Sequence, residues 1–194
     1  SSSNSVGSAC KASAAAAARR RFELLSVRLG SMSDARLFDL PAQLSLCSLC
    51  DDGAGLRRAQ LALQEVALSR KGWQPKAALA QAQLLRCQGL AQEGLQVIEP
   101  LMAALADTCM DFGAAEATHI ELLSAAQRFE DAARCGSQYL ARLRRAEAPE
   151  YRLELALSRT CAALADHAQA ERHFEHACSQ LERHNITGVL TGVA

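Results

Sequence analysis

The stretch "HAQAERHFEHACSQL", residues 167–181, decides the fold because its small and apolar residues recur at helical spacing. Ala170, Phe174 and Ala177 fall on one face of an α-helix, since 3.6 residues make one turn. The same triplet, a small residue followed by apolar or small residues four and seven positions later, occurs three more times. The other triplets are Ala59/Leu63/Val66, Gly94/Ile98/Leu101 and Ala132/Gly136/Tyr139. Their first members lie 35, 38 and 38 residues apart, and this period predicts an array of helical repeats.

Each of these stretches follows a second segment with apolar residues at helical spacing. The four upstream segments are "LPAQLSLCSLC" (40–50), "PKAALAQAQLLRC" (75–87), "AAEATHIELLSAA" (114–126) and "YRLELALSRTCAAL" (151–164). Apolar residues at i, i+3, i+4 and i+7 predict that both members of each pair are helices. The turns between them are too short for anything but antiparallel neighbours. The sequence therefore predicts an all-α fold, an α-solenoid of about four antiparallel helix–turn–helix repeats with at least eight main helices.

The domain organisation follows from this array, which is predicted to cover residues 40–184. Residues 1–22 are rich in Ser, Ala and Arg and contain four cations and no acid, which is typical of an organelle transit segment. A low-complexity leader on a cytosolic protein fits the same composition, so both interpretations stay open. Residues 23–39 are predicted to form helices that cap the array. Residues 185–194 are predicted to be an extended tail that follows a partner subunit or folds back on the last repeat.

The composition narrows the possible compartments and partners. There are 21 basic and 21 acidic residues, and the aromatic residues are five Phe, two Tyr and one Trp. This argues against a nucleic-acid partner, because such proteins carry a basic excess and aromatic rings for stacking. Eight cysteines scattered through helical patterns predict reduced thiols in an intracellular compartment, either the cytoplasm or a mitochondrion or plastid. The sequence contains no apolar run of about 18 residues, so no membrane span is predicted.

The triplet and its period resemble the tetratricopeptide repeat, a helix–turn–helix motif of 34 residues. The segment "HAQAERHFEHA" is the best match, since Ala170, Phe174 and Ala177 are all of the expected type. The other repeats are degenerate: Gly94 replaces an alanine, and Gly136 replaces an aromatic residue. The resemblance implies stacked hairpins with a concave groove lined by the first helix of each pair. Pentatricopeptide repeats, related hairpins of 35 residues that read RNA, fit the period almost as well.

The resemblance also implies which residues line the groove and contact a partner. The matching positions of the first helices hold Ser48, Asp51, Lys76, Gln83, Arg86, Glu121, Ser124, Arg152 and Arg159. The implied function is a non-enzymatic scaffold or adaptor that binds protein subunits of a larger complex. The alternative is a pentatricopeptide-like RNA-binding protein of an organelle. The neutral charge speaks against this alternative, because phosphate contacts supply most of such affinity.

Residues 167–181 also hold four potential metal ligands, namely His167, His173, His176 and Cys178. On a helix only His173 and His176 are close enough to share an ion, and two imidazoles do not complete a tetrahedral zinc site. We therefore expect solvated histidines on an outer helix, with His167 in the preceding turn. No metal site is predicted.

The motif "CSLC" at residues 47–50 raises the possibility of thiol or zinc chemistry. Cys47 and Cys50 fall on interior positions of the first helix, and Cys161 occupies the same position as Cys50 in the last repeat. Cysteine packs well as a small apolar residue, so we expect packing rather than chemistry. The sequence has no phosphate loop, no nucleophile elbow and no His-Glu-x-x-His motif. No catalytic, cofactor-binding or metal-binding residue is predicted, and a metal- or thiol-dependent enzyme would rest on these cysteines and histidines alone.

Two local predictions concern the second helices of the repeats. Pro100 lies inside one of them, so we expect a kink or an early end between Val97 and Leu101, because proline removes a backbone donor. Ala170 and Ala177 are expected to pack against the neighbouring helix, and Phe174 is expected to fill the groove between hairpins.

Overall fold

A computed structural model describes residues 52–105 and 112–183, together with Leu40, Gln43, Leu44, Cys47 and Ser48. The described residues form helices and short connections, and no strand occurs among them. Their seven helices are α1 (Gly53–Ser69), α2 (Gln74–Cys87), α3 (Ala91–Leu105), α4 (Phe112–Ala125), α5 (Phe129–Arg145), α6 (Tyr151–Ala163) and α7 (His167–Arg183). A 3₁₀ turn at Lys71–Trp73 joins α1 to α2. The five separate residues between 40 and 48 are also helical. The predicted all-α class is confirmed.

Several predicted features lie outside the described residues. They are the leader (1–22), the capping helices (23–39), Cys50 and Asp51, and the tail (185–194). The chain divides into two units, and the contacts described below belong to the unit Gln43–Gln180. The last residues of α7, from Leu181 onward, belong to the other unit.

The turns that follow α2, α4 and α6 share one backbone geometry. Gly89, Gln127 and Ala165 occupy these turns with positive φ angles of 75°, 60° and 59°. In each turn the residue after the one with positive φ donates its backbone N–H to the carbonyl five residues earlier. An example is the hydrogen bond from Arg128 N to Leu123 O at 2.9 Å. This pattern is a Schellman motif, which ends a helix and reverses the chain within about two residues. The three turns lie 38 residues apart, so the period of the sequence is also a period of the turns.

The helices α2, α4 and α6 pack side by side, α2 against α4 and α4 against α6. The helices between them in sequence complete the packing: α3 contacts α2 and α4, and α5 contacts α4 and α6. The buried core of these helices includes Leu95, Ile98, Ile120, Leu122, Leu123, Leu143 and Leu153. Each such side chain contributes about 1.5–3 kcal/mol when it leaves water.

Two glycines allow neighbouring hairpins to approach closely. Gly94 of α3 faces Leu122 of α4, and a Cβ on the glycine would stand 2.5 Å from Leu122 Cδ2. Gly136 of α5 faces Leu157 of α6 in the same way. In both pairs the leucine belongs to the first helix of the following hairpin. Small residues therefore occupy these positions because a leucine from the next hairpin fills the space.

Phe174 is the residue whose burial the sequence pattern predicted wrongly. Its side chain is 53% exposed, whereas Ala170 (8%) and Ala177 (0%) are buried as predicted. At equivalent positions, Leu63 of α1 and Ile98 of α3 are fully buried, because α2 packs on α1 and α4 packs on α3. No helix follows α7 among the described residues, so none of them covers the ring.

Pro100 does not end α3, which continues to Leu105 with the proline inside. The early end is therefore wrong, and a kink stays a prediction. Pro100 and Gln96, whose carbonyl loses its partner, are both exposed, so water can bond that carbonyl. Ile98 and Leu101 are buried and hold the helix on either side of the proline.

Two helix starts also differ from the sequence prediction. α1 begins at Gly53, inside the turn expected at residues 51–55, and Leu56 N bonds Asp52 O at 2.8 Å. His167 opens α7 instead of lying in the turn before it. Asp166 causes this early start, because its Oδ1 accepts a hydrogen bond from Gln169 N at 3.2 Å and so caps the helix.

Candidate interaction surface

Three residues predicted to line the groove form an ion-paired row across the first helices. Arg86 lies on α2, Glu121 on α4 and Arg159 on α6. Glu121 Oε2 lies 3.1 Å from Arg86 Nε, and Glu121 Oε1 accepts a hydrogen bond from Arg159 Nη1 at 2.7 Å. One carboxylate therefore connects guanidinium groups of the two helices that flank α4.

The row extends to the segment before α1 and becomes more exposed toward α6. Arg86 Nη2 donates a hydrogen bond to the backbone oxygen of Ser48 at 3.4 Å. The side chains of Arg86 and Glu121 are 15% and 21% exposed, whereas that of Arg159 is 68% exposed. We call Ser48, Arg86, Glu121 and Arg159 the ion-pair row. Arg159 is the most exposed of the three charged side chains in the row.

Gln83 and Ser124, also predicted to line the groove, instead connect neighbouring helices. Gln83 is only 3% exposed, and its Nε2 donates a hydrogen bond to Thr118 Oγ1 of α4 at 3.3 Å. Ser124 Oγ on α4 shares a hydrogen bond of 2.7 Å with Thr160 Oγ1 on α6. These bonds fix α2 to α4 and α4 to α6, and so position the ion-pair row.

The remaining predicted cations each lie beside an aromatic side chain. Lys76 Nζ is 4.7 Å from the centroid of the Trp73 ring, which is a cation–π distance. Arg152 Nε donates a hydrogen bond to Tyr151 Oη at 3.1 Å. The structure thus joins four of the nine predicted residues in one row and uses two more between helices. Asp51 lies outside the described residues.

A buried polar cluster between α4 and α5 was not predicted. Glu116 is fully buried and forms an ion pair with Arg142, whose Nε lies 3.2 Å from Glu116 Oε1. His119 is 7% exposed, and its Nδ1 lies 2.7 Å from Tyr139 Oη. The signal in the sequence was the spacing of three residues within each helix, which places Glu116 with His119 and Tyr139 with Arg142.

Burial changes the proton affinity of this cluster. It raises the pKa of Glu116, although the Arg142 guanidinium acts in the opposite direction. It lowers the pKa of His119, an effect that Glu99 opposes and Arg128 reinforces. Glu116 Oε2 and His119 Nε2 are buried with no hydrogen-bond partner among the described residues. Both shifts are in the direction that burial away from water imposes. The contacts of Glu116 with Arg142 and of His119 with Tyr139 connect α4 to α5.

A second unpredicted cluster joins α6 to α7. Glu154 is fully buried, whereas glutamate side chains are usually exposed unless they are paired. Arg144 Nη2 donates to its Oε1 at 3.4 Å, and His173 Nδ1 contacts its Oε2. His176 Nδ1 lies 3.5 Å from Glu154 Oε1. The prediction of solvated histidines is therefore wrong for His173, which is 22% exposed, and fits His176, which is 66% exposed.

Within residues 52–105 and 112–183, no group of three or more His, Cys, Asp or Glu side chains could hold a metal ion. Burial, together with the charge of Asp166, raises the pKa of the Cys161 thiol. A nucleophilic cysteine needs the opposite shift. Cys47 is half-buried in the helical segment before α1.

Comparison with known proteins assigns no family. No protein-family model, no curated protein and no solved structure matches the chain. A helix with the length and apolar character needed to cross a membrane is not found in the part of the chain that the structure describes.

Proposed function

We propose that the chain is a non-enzymatic scaffold that binds a protein subunit of a larger assembly through the ion-pair row. The proposed architecture is a solenoid of about four hairpins similar to tetratricopeptide repeats. Its support is the 38-residue spacing of the turns at Gly89, Gln127 and Ala165. The side-by-side packing of α2, α4 and α6 agrees with such a stack.

The observation that carries this proposal is the sharing of Glu121 by Arg86 and Arg159. The two ion pairs hold these charged side chains in place across α2, α4 and α6 before any partner binds. Preorganised side chains lose less entropy on binding, so this surface is suited to specific recognition. Arg159 offers its exposed guanidinium to a carboxylate or a backbone carbonyl of the partner.

The same pairing favours a protein partner over RNA. Binding to phosphates requires cations that can replace counterions, and Glu121 already neutralises part of the charge of Arg86 and Arg159. We therefore expect no saturable retention of single-stranded RNA by the full chain in a filter assay at low salt. Salt-dependent retention that Arg159→Glu removes would favour the RNA-binding alternative instead.

A protein partner is tested by affinity purification of the tagged full chain, followed by mass spectrometry. The proposal expects a stoichiometric protein partner that survives extensive nuclease treatment. Recovery of the chain alone from native extract, with no protein enriched over the control purification, would contradict the scaffold function.

A further inference from the structure

The outward side of α7 carries an aromatic ring between two carboxylates. Phe174 is 53% exposed, and Glu171 and Glu175 are exposed beside it. Cys178, one turn further along, is half-buried. At 100° per residue all four lie within about 100° of each other around the helix axis. We call these four residues the outer face of α7.

The equivalent faces inside the molecule are each covered by a helix. The counterparts of Phe174 in α1, α3 and α5 are Leu63, Ile98 and Gly136, and all three are buried. The counterparts of Cys178 are Ala67 (9%), Met102 (7%) and Leu140 (8%), which are buried as well.

The covering element is the first helix of the next hairpin in every case. α2 packs on α1, α4 on α3 and α6 on α5. Leu157 of α6 stands directly against Gly136, so the contact is made by an aliphatic side chain. The outer face of α7 therefore has the geometry of a surface that accepts an amphipathic helix.

The charge of the outer face restricts the kind of helix that fits. Glu171 and Glu175 are one turn apart on the same side, and neither forms an ion pair with another described residue. Arg172 points to the other side of the helix, about 160° from Phe174. A helix with lysine or arginine beside its apolar stripe would pair with both carboxylates.

A second copy of the chain fits this face poorly. Two-fold pairing of α7 with itself would bring Glu171 and Glu175 of both copies to one interface. Like charges placed together at an interface oppose association. The face therefore matches a partner of opposite charge better than it matches itself.

We propose that the outer face of α7 binds a basic amphipathic α-helix of another protein, in the place that the next first helix occupies on α1, α3 and α5. Phe174 packs against the apolar stripe of that helix, and Glu171 and Glu175 pair with its cations. This surface shares no residue with the ion-pair row, so the proposal goes beyond the scaffold function and does not depend on it.

The test uses the full chain and a fluorescein-labelled peptide of residues 74–87, the sequence of α2, which contains Lys76 and Arg86 and no acid. Fluorescence polarisation should show saturable binding, and Phe174→Ala should weaken it by about tenfold or more, as for a central aromatic contact. The double variant Glu171→Gln/Glu175→Gln should bind more weakly and with a smaller dependence on salt. Leu68→Ala removes another exposed apolar side chain, 89% exposed on α1, and should leave binding unchanged.

The peptide assay overturns the proposal if there is no saturable binding, or if a peptide in which Lys76 and Arg86 are replaced by glutamate binds equally well. An equal loss of binding from Leu68→Ala would also overturn it. Sedimentation that shows a dimer dissociated by Phe174→Ala would assign the face to a second copy instead and would also overturn it. Arg159→Glu should retain full peptide binding. Loss of binding in that variant would place the peptide on the ion-pair row and would leave the outer face of α7 without its proposed role.

Discussion

Arg159 on α6 donates a hydrogen bond to Glu121 on α4 at 2.7 Å, although 38 residues separate them in sequence. The bond requires α4 and α6 to be neighbours, so it depends on the packing of the first helices. Arg159 is 68% exposed, and a surface ion pair of this kind contributes about 1 kcal/mol or less. Its role is to order a surface, and the fold is stabilised by the apolar contacts beneath it.

Gly94→Ala should destabilise the protein by about 1–3 kcal/mol, because the added methyl group overpacks the contact with Leu122. Leu122 is fully buried, so its side chain can make room only by displacing its neighbours in the core. Gly53→Ala is the matched control, since a Cβ there meets nothing within 4 Å. Urea denaturation measures both variants. Equal stability of Gly94→Ala and wild type would mean that α3 and α4 are further apart than described.

Ala165→Gly should stabilise the protein by about 1 kcal/mol, because alanine is strained at a positive φ and glycine is not. The φ of Ala165 is 59°. Ala141→Gly, at an exposed site in the middle of α5, should instead destabilise by about 0.5–1 kcal/mol. Thermal denaturation of both variants tests the Schellman turn. A loss of stability in both would show that Ala165 is helical or extended.

The sequence predicted the helices well because a helix that is buried on one side has apolar residues every three to four positions. This spacing can be read directly from the sequence. Ala59, Ala132 and Ala170 each open one of the triplets of small and apolar residues, and each lies on the buried side of its helix as the pattern predicted. The pattern fails at Phe174 because a period tells which side of a helix is apolar and does not tell whether another element covers it.

The candidate surface was predicted less completely. Arg86, Glu121 and Arg159 were assigned to one face, but their pairing depends on how far neighbouring helices are shifted along their axes, which no local pattern determines. Glu116 and Glu154 were missed because an acidic residue is expected to be exposed, and only the tertiary structure supplies the arginines and histidines that offset their burial.

His119 should make stability depend on pH. Burial lowers its pKa below the ordinary value of 6.5, so only the unfolded chain binds a proton as the pH falls below that value. The stability that His119 contributes is therefore complete above about pH 6.5 and is lost as the pH falls toward the lowered pKa, by at most about 1.4 kcal/mol per pH unit. Glu116, whose pKa is raised, has the opposite effect, and comparison with a variant separates the two.

The comparison uses His119→Gln, which can still bond Tyr139 but does not titrate. Urea denaturation at pH 7 and pH 5.5 should show a smaller loss of stability on acidification in His119→Gln than in wild type. His167→Gln, at an exposed side chain that opens α7, serves as the control and should follow the wild type. The same loss in all three proteins would show that His119 is accessible to solvent.

Phe174→Ala should change the free energy of unfolding by about 1 kcal/mol or less, because its ring is 53% exposed. Leu63→Ala, at the equivalent and fully buried position of α1, should cost about 2–5 kcal/mol. Chemical denaturation of the two variants gives both values. A cost for Phe174→Ala as large as that for Leu63→Ala would mean that another part of the chain covers the ring.

The most direct test of the proposed function compares the proteins recovered with wild type, Arg159→Glu and Arg145→Glu. Arg145 is an exposed arginine of α5 that lies outside the ion-pair row, and it bonds only the Ala141 carbonyl in the described contacts. Quantitative mass spectrometry of affinity-purified complexes should show that Arg159→Glu loses its main protein partner, while Arg145→Glu retains the amount found with wild type. Retention of the same partner by Arg159→Glu, with the fold intact by circular dichroism, would contradict the assignment of the ion-pair row as the binding surface.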